Sequence, residues 1–426
     1  MMKSKLFIMA FCLFIFSQNF AQTLLNSSFQ TPPNSAKPRV WWHWMNGNIS
    51  KDGIQKDLEW MSRVGIGGFQ NFDAALFTPV VVPKKIVFMT PEWKDAFKFT
   101  VELADKKGLE MAIAGSPGWS VTGGPWVEPK DAMKKYVFTE TRVEGGKTFS
   151  GKLAQPGDVI GKFQNAPIIA ESFLGGFIGP QPTFYQDAMV IAYRLPANEI
   201  DFKTLNPKVS ASGGNFNLQE LTDGILSKQT FLPPTEVGQD MWVQYEFDSP
   251  KTFKAFAISG SMYTAMSEFS GVPLNRALKV SDDGINFREI ARPSGSIIPF
   301  NTIAFPATSA KYWRICFTTL APQPNMFSAM GGGTQGPPKP DGVNIAEFLL
   351  YNTDRIDQAE DKAGFIPWKE DNKTFITEGS DAISNNDVVD ITSKISADGT
   401  LNWTAPAGNW SVMRFGYSLT GRQNHP

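Results

Sequence analysis

The spacing of hydrophobic residues changes character near residue 140. Before that point, short apolar runs alternate with segments in which apolar residues recur every three or four positions, which is the spacing of a helix with one buried face. The run "RVWWHWMNG" stops at Gly47, and "SKDGIQKDLEWMSRVG" follows with Ser50 placed to cap a helix. Strands separated by helices in this way are parallel and joined by right-handed crossovers. We therefore predict consecutive βα units in this part of the chain.

The next units repeat the same order. "IGGFQNFDA" is the second strand, "TPEWKDAFKFTVELADKKG" is a helix with Thr90 as its cap and Gly108 as its stop, and "LEMAIAGSPGW" is the third strand. An open doubly wound sheet and a closed (β/α)8 barrel both fit this order. Because no G-x-G-x-x-G turn follows the first strand, we favour the barrel. Its functional groups gather at the C-terminal ends of the strands.

Those strand ends carry an unusual set of aromatic and polar side chains. Trp42 and Trp44 share one side of the first strand, and Trp41 and His43 share the other. One pair is expected to line the barrel mouth and the other to pack under the helices, with Trp126 in a loop near the same mouth. Indole rings suit the apolar faces of sugars, so we predict a substrate-binding set with no metal ligand in it: His43, Trp44, Asn46, Asn71, Asp73, Trp119 and His425. Ser116 lies at the same predicted edge.

After residue 143 the helical period disappears, and short alternating strands with turn signals replace it. Such strands between Leu205 and Tyr351 indicate a β-sandwich, and "WSVMRFGYSLTG" near the end is a long strand. The predicted fold class is therefore α/β plus all-β. The predicted divisions are a signal peptide (1–21), the first βα units (36–142), a β-rich connecting segment (143–204), the sandwich (205–352) and a β-rich segment returning to the barrel (353–426).

Composition and charge narrow the range of functions. The chain has 426 residues and a formal net charge of −1, so nothing favours nucleic acid as a partner. The start, "MMKSKLFIMAFCLFIFSQNFAQ", has the basic, apolar and small-residue layout of a secretory signal, and no later run is long enough to span a membrane. Export to the periplasm, cell surface or medium follows. Only Cys316 remains after cleavage, and its alternating apolar surroundings predict a buried, inert thiol.

Four segments together resemble the N-terminal part of glycoside hydrolase family 106. They are "PRVWWHWMNGNISKDGI", "GGFQNFDA", "GSPGWSVTGGPWV" and "WTAPAGNWSVMRFGYSLTGRQNHP". The resemblance implies a secreted α-L-rhamnosidase that hydrolyses terminal rhamnose of plant cell-wall polysaccharides with inversion and with the help of calcium. It also implies that the sandwich is inserted between strands of a (β/α)8 barrel. The sandwich itself resembles the galactose-binding-like, discoidin-type fold through "LTDG", "VSDDGINF" and "YWRICF".

The chemistry implied by the resemblance needs groups that this stretch does not display. Inverting hydrolysis requires two carboxyl groups about 6.5–9.5 Å apart, and Asp73 is the one carboxylate at a predicted strand end. The catalytic acid and base and the calcium ligands are therefore unassigned and expected beyond residue 426. The sequence is interpreted as an N-terminal fragment, inactive alone. Two alternatives stay open: a non-catalytic carbohydrate-binding protein that uses the sandwich, and an unclosed barrel without activity.

Overall fold

The computed structural model describes residues 27–75, 78–115, 117–118, 127–158, 160–161, 163–166, 182–260, 276–293, 300–321, 342–363 and 375–420. The chain divides into two compact units near residue 128. Unit 1 contains the described residues up to Glu128, and unit 2 contains those from Pro129 onward. The predicted signal peptide lies outside the described residues. In the part of the chain that the structure describes, no helix is long and apolar enough to cross a membrane.

Unit 1 is the predicted series of strands and helices. Its elements are β1 Arg39–Met45, α1 Lys51–Arg63, β2 Gly68–Ala74, α2 Pro91–Lys107 and β3 Glu110–Ile113. The three strands form one parallel sheet in the order β1-β2-β3. The prediction of parallel βα units is thus confirmed. Among the described residues this sheet does not close on itself, so the full barrel stays a prediction.

Local sequence signals set the ends of both helices. The Ser50 hydroxyl accepts a hydrogen bond from the amide of Gly53, and the Thr90 hydroxyl accepts one from the amide of Trp93. Each bond satisfies one of the free amides of a first helical turn. Gly108 ends α2 with φ of 67°, a conformation that glycine adopts without strain. The three cap residues expected from the sequence are confirmed.

Unit 2 contains a larger antiparallel body that matches the predicted sandwich region. Its strands are β7 Lys208–Ala211, β8 Thr230–Leu232, β9 Asp240–Gly260, β10 Arg276–Ser281, β11 Arg288–Ala291, β12 Asn301–Thr318 and β13 Val343–Tyr351. The two longest strands, β9 and β12, run through both halves of this body. One end of β9 pairs with β7 and the other with β13. Two register shifts interrupt the β9–β12 ladder, one between Ala304 and Thr308 and one between Ala310 and Tyr312.

One apolar core lies between the two halves of β9 and β12. Both halves of β9 contribute to it, through Val243 and Tyr245 on one side and Phe256 and Ile258 on the other. Trp313 of β12 is fully buried in the same cluster. The strands form one hydrogen-bonded sheet in the order β11-β10-β12-β9-β13-β8, with β7 beside β9, and a core shared by both halves of the long strands fits the predicted sandwich. Assignment to the discoidin type stays a prediction.

The remaining strands of unit 2 form two small antiparallel sheets. They are β4 Lys134–Glu144, β5 Thr148–Lys152, β6 Gln186–Arg194, β14 Val388–Asp390, β15 Thr400–Thr404 and β16 Asn409–Leu419, with one short helix, α3 Ala359–Lys362. The sheet orders are β14-β6-β16-β4 and β15-β5. β16 was expected to return the chain to the barrel. In the structure β4 and β6 occupy both edges of β16, and the return of segment 353–426 to the barrel stays a prediction.

The single cysteine of the described chain behaves as the sequence suggested. Cys316 is a free, buried thiol on β12. Burial, as the main cause, raises its pKa to about 12. The prediction of a buried residue is confirmed, and the raised pKa supports the low reactivity predicted for it.

Candidate functional site

The tryptophans of β1 divide between the two sides of the parallel sheet. Trp44 is 1% exposed, and its ring centre lies 5.7 Å from that of Trp93 on α2. Trp42 contacts Trp44 edge-on at 5.6 Å and donates its indole N–H to Asp57 on α1 at 3.0 Å. This side therefore faces the helices. The expectation that one pair packs under the helices is confirmed, and the pair is Trp42 with Trp44. This placement supports a packing role for Trp44 rather than the substrate contact predicted for it.

The opposite side of the sheet carries an aromatic cluster made by Trp41, His43 and Phe72. The rings of Trp41 and Phe72 stack with centres 6.3 Å apart, and the His43 ring contacts both edge-on at 5.7 and 5.4 Å. Trp41 is 66% exposed. The cluster combines a large exposed indole with an imidazole that can donate or accept a hydrogen bond. These are the groups that a sugar ring with an apolar face and hydroxyl edges requires.

Asp73 lies at the end of β2, as predicted, but its side chain points away from the aromatic cluster. Its backbone pairs in register with Trp44, so both side chains lie on the helix-facing side. The carboxylate Oδ2 accepts a hydrogen bond of 2.9 Å from the indole N–H of Trp93. Asp73 is 5% exposed, and desolvation raises its pKa to about 6 against the opposing effect of that hydrogen bond. This burial supports a structural role for Asp73, and the substrate contact predicted for it stays a prediction.

The two predicted asparagines have different surroundings. Asn46 follows β1 with φ of 52° and donates its side-chain amide to the Thr78 carbonyl at 2.6 Å. This bond fixes the loop that follows β2. Asn71 pairs in register with Trp42 on the helix-facing side and is 1% exposed. Of the described candidates, His43 alone has its side chain on the open side, and Asn46 lies at its edge.

Four of the residues considered in the sequence fall outside the described part of the chain. They are Ser116, Trp119, Trp126 and His425. The substrate contacts predicted for Trp119 and His425 stay predictions. Phe72 was absent from the predicted set, although its position opposite His43 in the register makes it part of the cluster. The alternation of "QNFDA" was the signal, since Phe72 is the apolar residue between Asn71 and Asp73.

The carboxylates, histidines and cysteines of the described chain do not assemble a metal site. Among those residues, no group of three or more lies close enough to hold an ion. Calcium prefers six to eight oxygen ligands, several of them carboxylates. The Asp73 carboxylate is enclosed by Trp93 and the helix-facing core and offers no such cluster. The described residues therefore do not fit the calcium ion that the family resemblance implies, and none is assigned as a ligand.

Comparison with known proteins places the chain in a family. The model of glycoside hydrolase family 106, described as alpha-L-rhamnosidase, matches residues 30–426. That match covers nearly the whole chain, and the chain belongs to this family. The relationship inferred from the four sequence segments is thereby confirmed, and with it the class of glycoside hydrolases.

Two relatives show how the chain relates to longer proteins. A rhamnosidase structure from Novosphingobium sp. PP1Y is similar with a TM-score of 0.73 and 36% identity, over 94% of this chain and 35% of that one. A curated protein of Formosa agariphila, named "Putative beta-glucuronidase", is 36% identical over 201 residues, which are 46% of this chain and 15% of that protein. The chain thus spans about a third or less of the length of these relatives.

Proposed function

We propose that this chain is part of a secreted α-L-rhamnosidase that removes terminal rhamnose from plant cell-wall polysaccharides with inversion at the anomeric carbon. The observation that carries the proposal is the family match over residues 30–426, joined by structural likeness to a rhamnosidase over 94% of the chain. Rhamnose is a deoxy sugar with a methyl group, and such a group packs favourably on aromatic surfaces.

In this proposal the aromatic cluster of unit 1 forms one wall of the sugar site. The exposed ring of Trp41 lies against the apolar face of the sugar, and Phe72 supports that ring from behind. His43 contacts a sugar hydroxyl. The acid and base that inversion needs, about 6.5–9.5 Å apart, are assigned to no described residue. Calcium remains part of the proposal at the level of the family alone, with no ligand named.

The test uses a protein that contains this chain together with the rest of its polypeptide. We expect it to hydrolyse p-nitrophenyl α-L-rhamnopyranoside and to leave p-nitrophenyl β-D-glucuronide intact. Proton NMR of the first product would show the β-anomer before mutarotation if the reaction inverts. Addition of EDTA is expected to reduce the rate, and added calcium to restore it. Release of glucuronic acid instead of rhamnose would overturn the substrate assignment.

Export is a separate part of the proposal. The basic and apolar start of the sequence, with a small residue at Ala21, supports cleavage after that residue. Expression of the chain from its first methionine in a Gram-negative host, followed by N-terminal sequencing of the exported fraction, would test it. A mature protein starting at Gln22 is expected. Retention of Met1 in a cytoplasmic product would contradict it.

A second candidate role is glycan binding without hydrolysis. The self-contained core of the sandwich, with both halves of β9 around it, favours this role because such a body can fold and bind without the barrel. Isothermal titration of the 426-residue chain with pectic fragments would measure it. We expect saturable binding by the chain alone, without release of rhamnose.

A further inference from the structure

The outer face of the sandwich carries one arginine in unusual surroundings. Arg314 lies on β12, in register between Gln244 of β9 and Lys279 of β10. Its guanidinium carbon lies 4.1 Å from the ring centre of Trp242 and 3.6 Å from that of Phe287. Both aromatic side chains are half-buried. The guanidinium therefore contacts both rings, which restricts its orientation.

The hydrogen bonds of Arg314 leave one edge of the guanidinium open. Nε and Nη2 both donate to the side-chain oxygen of Gln244, at 3.1 and 2.8 Å. In the described structure Nη1 makes no hydrogen bond, and it is not among the buried polar atoms that lack one, so solvent reaches it. The edge formed by Nη1 and the second N–H of Nη2 is the one that matches the two oxygens of a carboxylate.

The neighbouring carboxylates are already paired with other cations. Asp240 is bound by the Lys279 ammonium and by the Thr318 hydroxyl. Glu246 lies 3.7 Å from the Lys311 ammonium and accepts from the Tyr312 hydroxyl. Over the described residues, no ion pair includes Arg314. The face thus presents a positive group that forms no direct ion pair with a described carboxylate, although the charge of nearby Asp240 acts on it.

We propose that Arg314, with Trp242 and Phe287 beside it, binds the carboxylate of an acidic sugar residue, a uronic acid, within a glycan chain. The Nη1 and Nη2 groups hold the two carboxylate oxygens, and the exposed edges of the two rings contact the apolar parts of the sugar. Preorganisation by the rings and by Gln244 reduces the entropy lost on binding. The proposal rests on glycan binding by the sandwich, the second role given above, and not on hydrolysis.

The experiment is isothermal titration of the full chain with trigalacturonate and with its methyl ester. Wild-type protein is expected to bind the acid and to bind the ester at least about tenfold more weakly, since the ester lacks the charge. Arg314→Gln should lose a similar factor for the acid. Arg314→Lys keeps the positive charge but lacks the two parallel N–H groups of the guanidinium, so it should recover little of the lost affinity. Arg63→Gln, which removes an exposed arginine of α1 in unit 1, is the matched control and should change affinity less than about twofold.

Four results would overturn the proposal. They are no binding of trigalacturonate by the wild-type chain, equal binding of acid and ester, full affinity in Arg314→Gln, and equal binding of a short glutamate peptide that also depends on Arg314. The last result would assign the face to a protein partner. If Arg314→Gln has no cooperative thermal transition, the comparison of acid and ester on wild-type protein decides. In the longer protein used to test hydrolysis, rhamnoside cleavage should persist with Arg314→Gln, so failure here is separate from failure of the hydrolase proposal.

Discussion

The parallel sheet of unit 1 and the antiparallel sandwich of unit 2 use aromatic side chains in opposite ways. In the sandwich, Trp313, Tyr245 and Phe348 are fully buried in one core. In unit 1, β1 buries Trp44 against the helices and leaves Trp41 on the other side with two thirds of its surface exposed. Neighbouring residues of a single strand therefore have different environments, whereas the sandwich encloses its aromatic residues between two layers.

This difference suggests that the buried aromatic residues stabilise the fold, whereas the exposed aromatic residues of unit 1 are placed to bind a ligand. A parallel sheet is ordinarily covered on both faces, and aromatic residues on a face that the described part of unit 1 leaves exposed are available for contact with other groups. Exposed aromatic clusters of this kind mark binding surfaces more often than chance. The aromatic residues of the sandwich instead contribute the apolar burial that holds a cysteine-poor protein together. The predictions below compare unit 1 with the sandwich to test these two roles of the aromatic residues.

The largest expected effect distinguishes the two sides of β1. Trp44→Ala removes a buried indole from between α2 and the sheet and should lower the free energy of unfolding of unit 1 by about 3–5 kcal/mol. Trp41→Ala removes an exposed ring and should cost less than about 1 kcal/mol. Hydrogen exchange of peptides from β1 to β3 in rising urea measures both, with sandwich peptides as the internal reference. Equal destabilisation by the two substitutions would contradict the assignment of the sides.

The next effect concerns a buried carboxyl in the sandwich. Glu347 on β13 accepts a hydrogen bond from the Gly224 amide at 2.6 Å, and desolvation, reinforced by the nearby charge of Asp223, raises its pKa from 4.5 to about 8. A pKa raised on folding gives stability that is complete below about pH 4.5 and is lost as the pH rises through 8. The loss at full ionisation is on the order of 5 kcal/mol, because each pKa unit corresponds to about 1.4 kcal/mol.

Glu347→Gln tests this by removing the charge and keeping the shape. The variant should be more stable than wild type at pH 9 and of similar stability at pH 5. Urea unfolding of the 426-residue chain at both pH values, read from exchange of β13 peptides, provides the comparison. A wild-type sandwich whose stability does not change between pH 5 and pH 9 would show that Glu347 is not protonated in the native state.

Local features of unit 1 could be predicted from the sequence because each depends on residues close together. The caps at Ser50 and Thr90 and the stop at Gly108 are set within one helical turn. The alternation of β1 likewise predicted that Trp42 and Trp44 share a side. Alternation gives only relative orientation, however, and which side meets the helices depends on the packing of α1 and α2 against the strand.

The sequence did not predict contacts between residues that lie far apart in the chain. Asp73 was predicted to contact substrate because it lies at the end of a strand, yet the indole of Trp93, 20 residues later, donates to its carboxylate on the helix-facing side. The long strand β16 was predicted, but its pairing with β4, which begins at Lys134 far earlier in the chain, was not. Neither pairing has a local signal in the sequence, because both depend on how the chain folds back on itself.

The smallest of the effects compares the buried carboxyl of unit 1 with that of the sandwich. Asp73 has a hydrogen-bond donor in Trp93, and the nearby positive charge of Lys85 further favours its ionised form, so desolvation raises its pKa only from 3.8 to about 6. Its contribution is complete below about pH 3.8 and lost as the pH rises through 6, with a limit on the order of 3 kcal/mol. Asp73→Asn should therefore stabilise unit 1 at pH 8 and change little at pH 4.

Hydrogen exchange of β2 peptides in urea measures the change in the free energy of unfolding at both pH values. Trp93→Phe is the matched variant, because it removes the hydrogen-bond donor to Asp73. Without the indole N–H, the carboxylate loses the bond that favours its charged form, so the stability of unit 1 in Trp93→Phe should fall more steeply between pH 4 and pH 8 than in wild type. In the double variant Asp73→Asn, Trp93→Phe that pH dependence should disappear. Parallel pH profiles for wild type and Asp73→Asn would mean that Asp73 is ionised at no cost, and that the helix-facing side of β2 is less enclosed than the sandwich core.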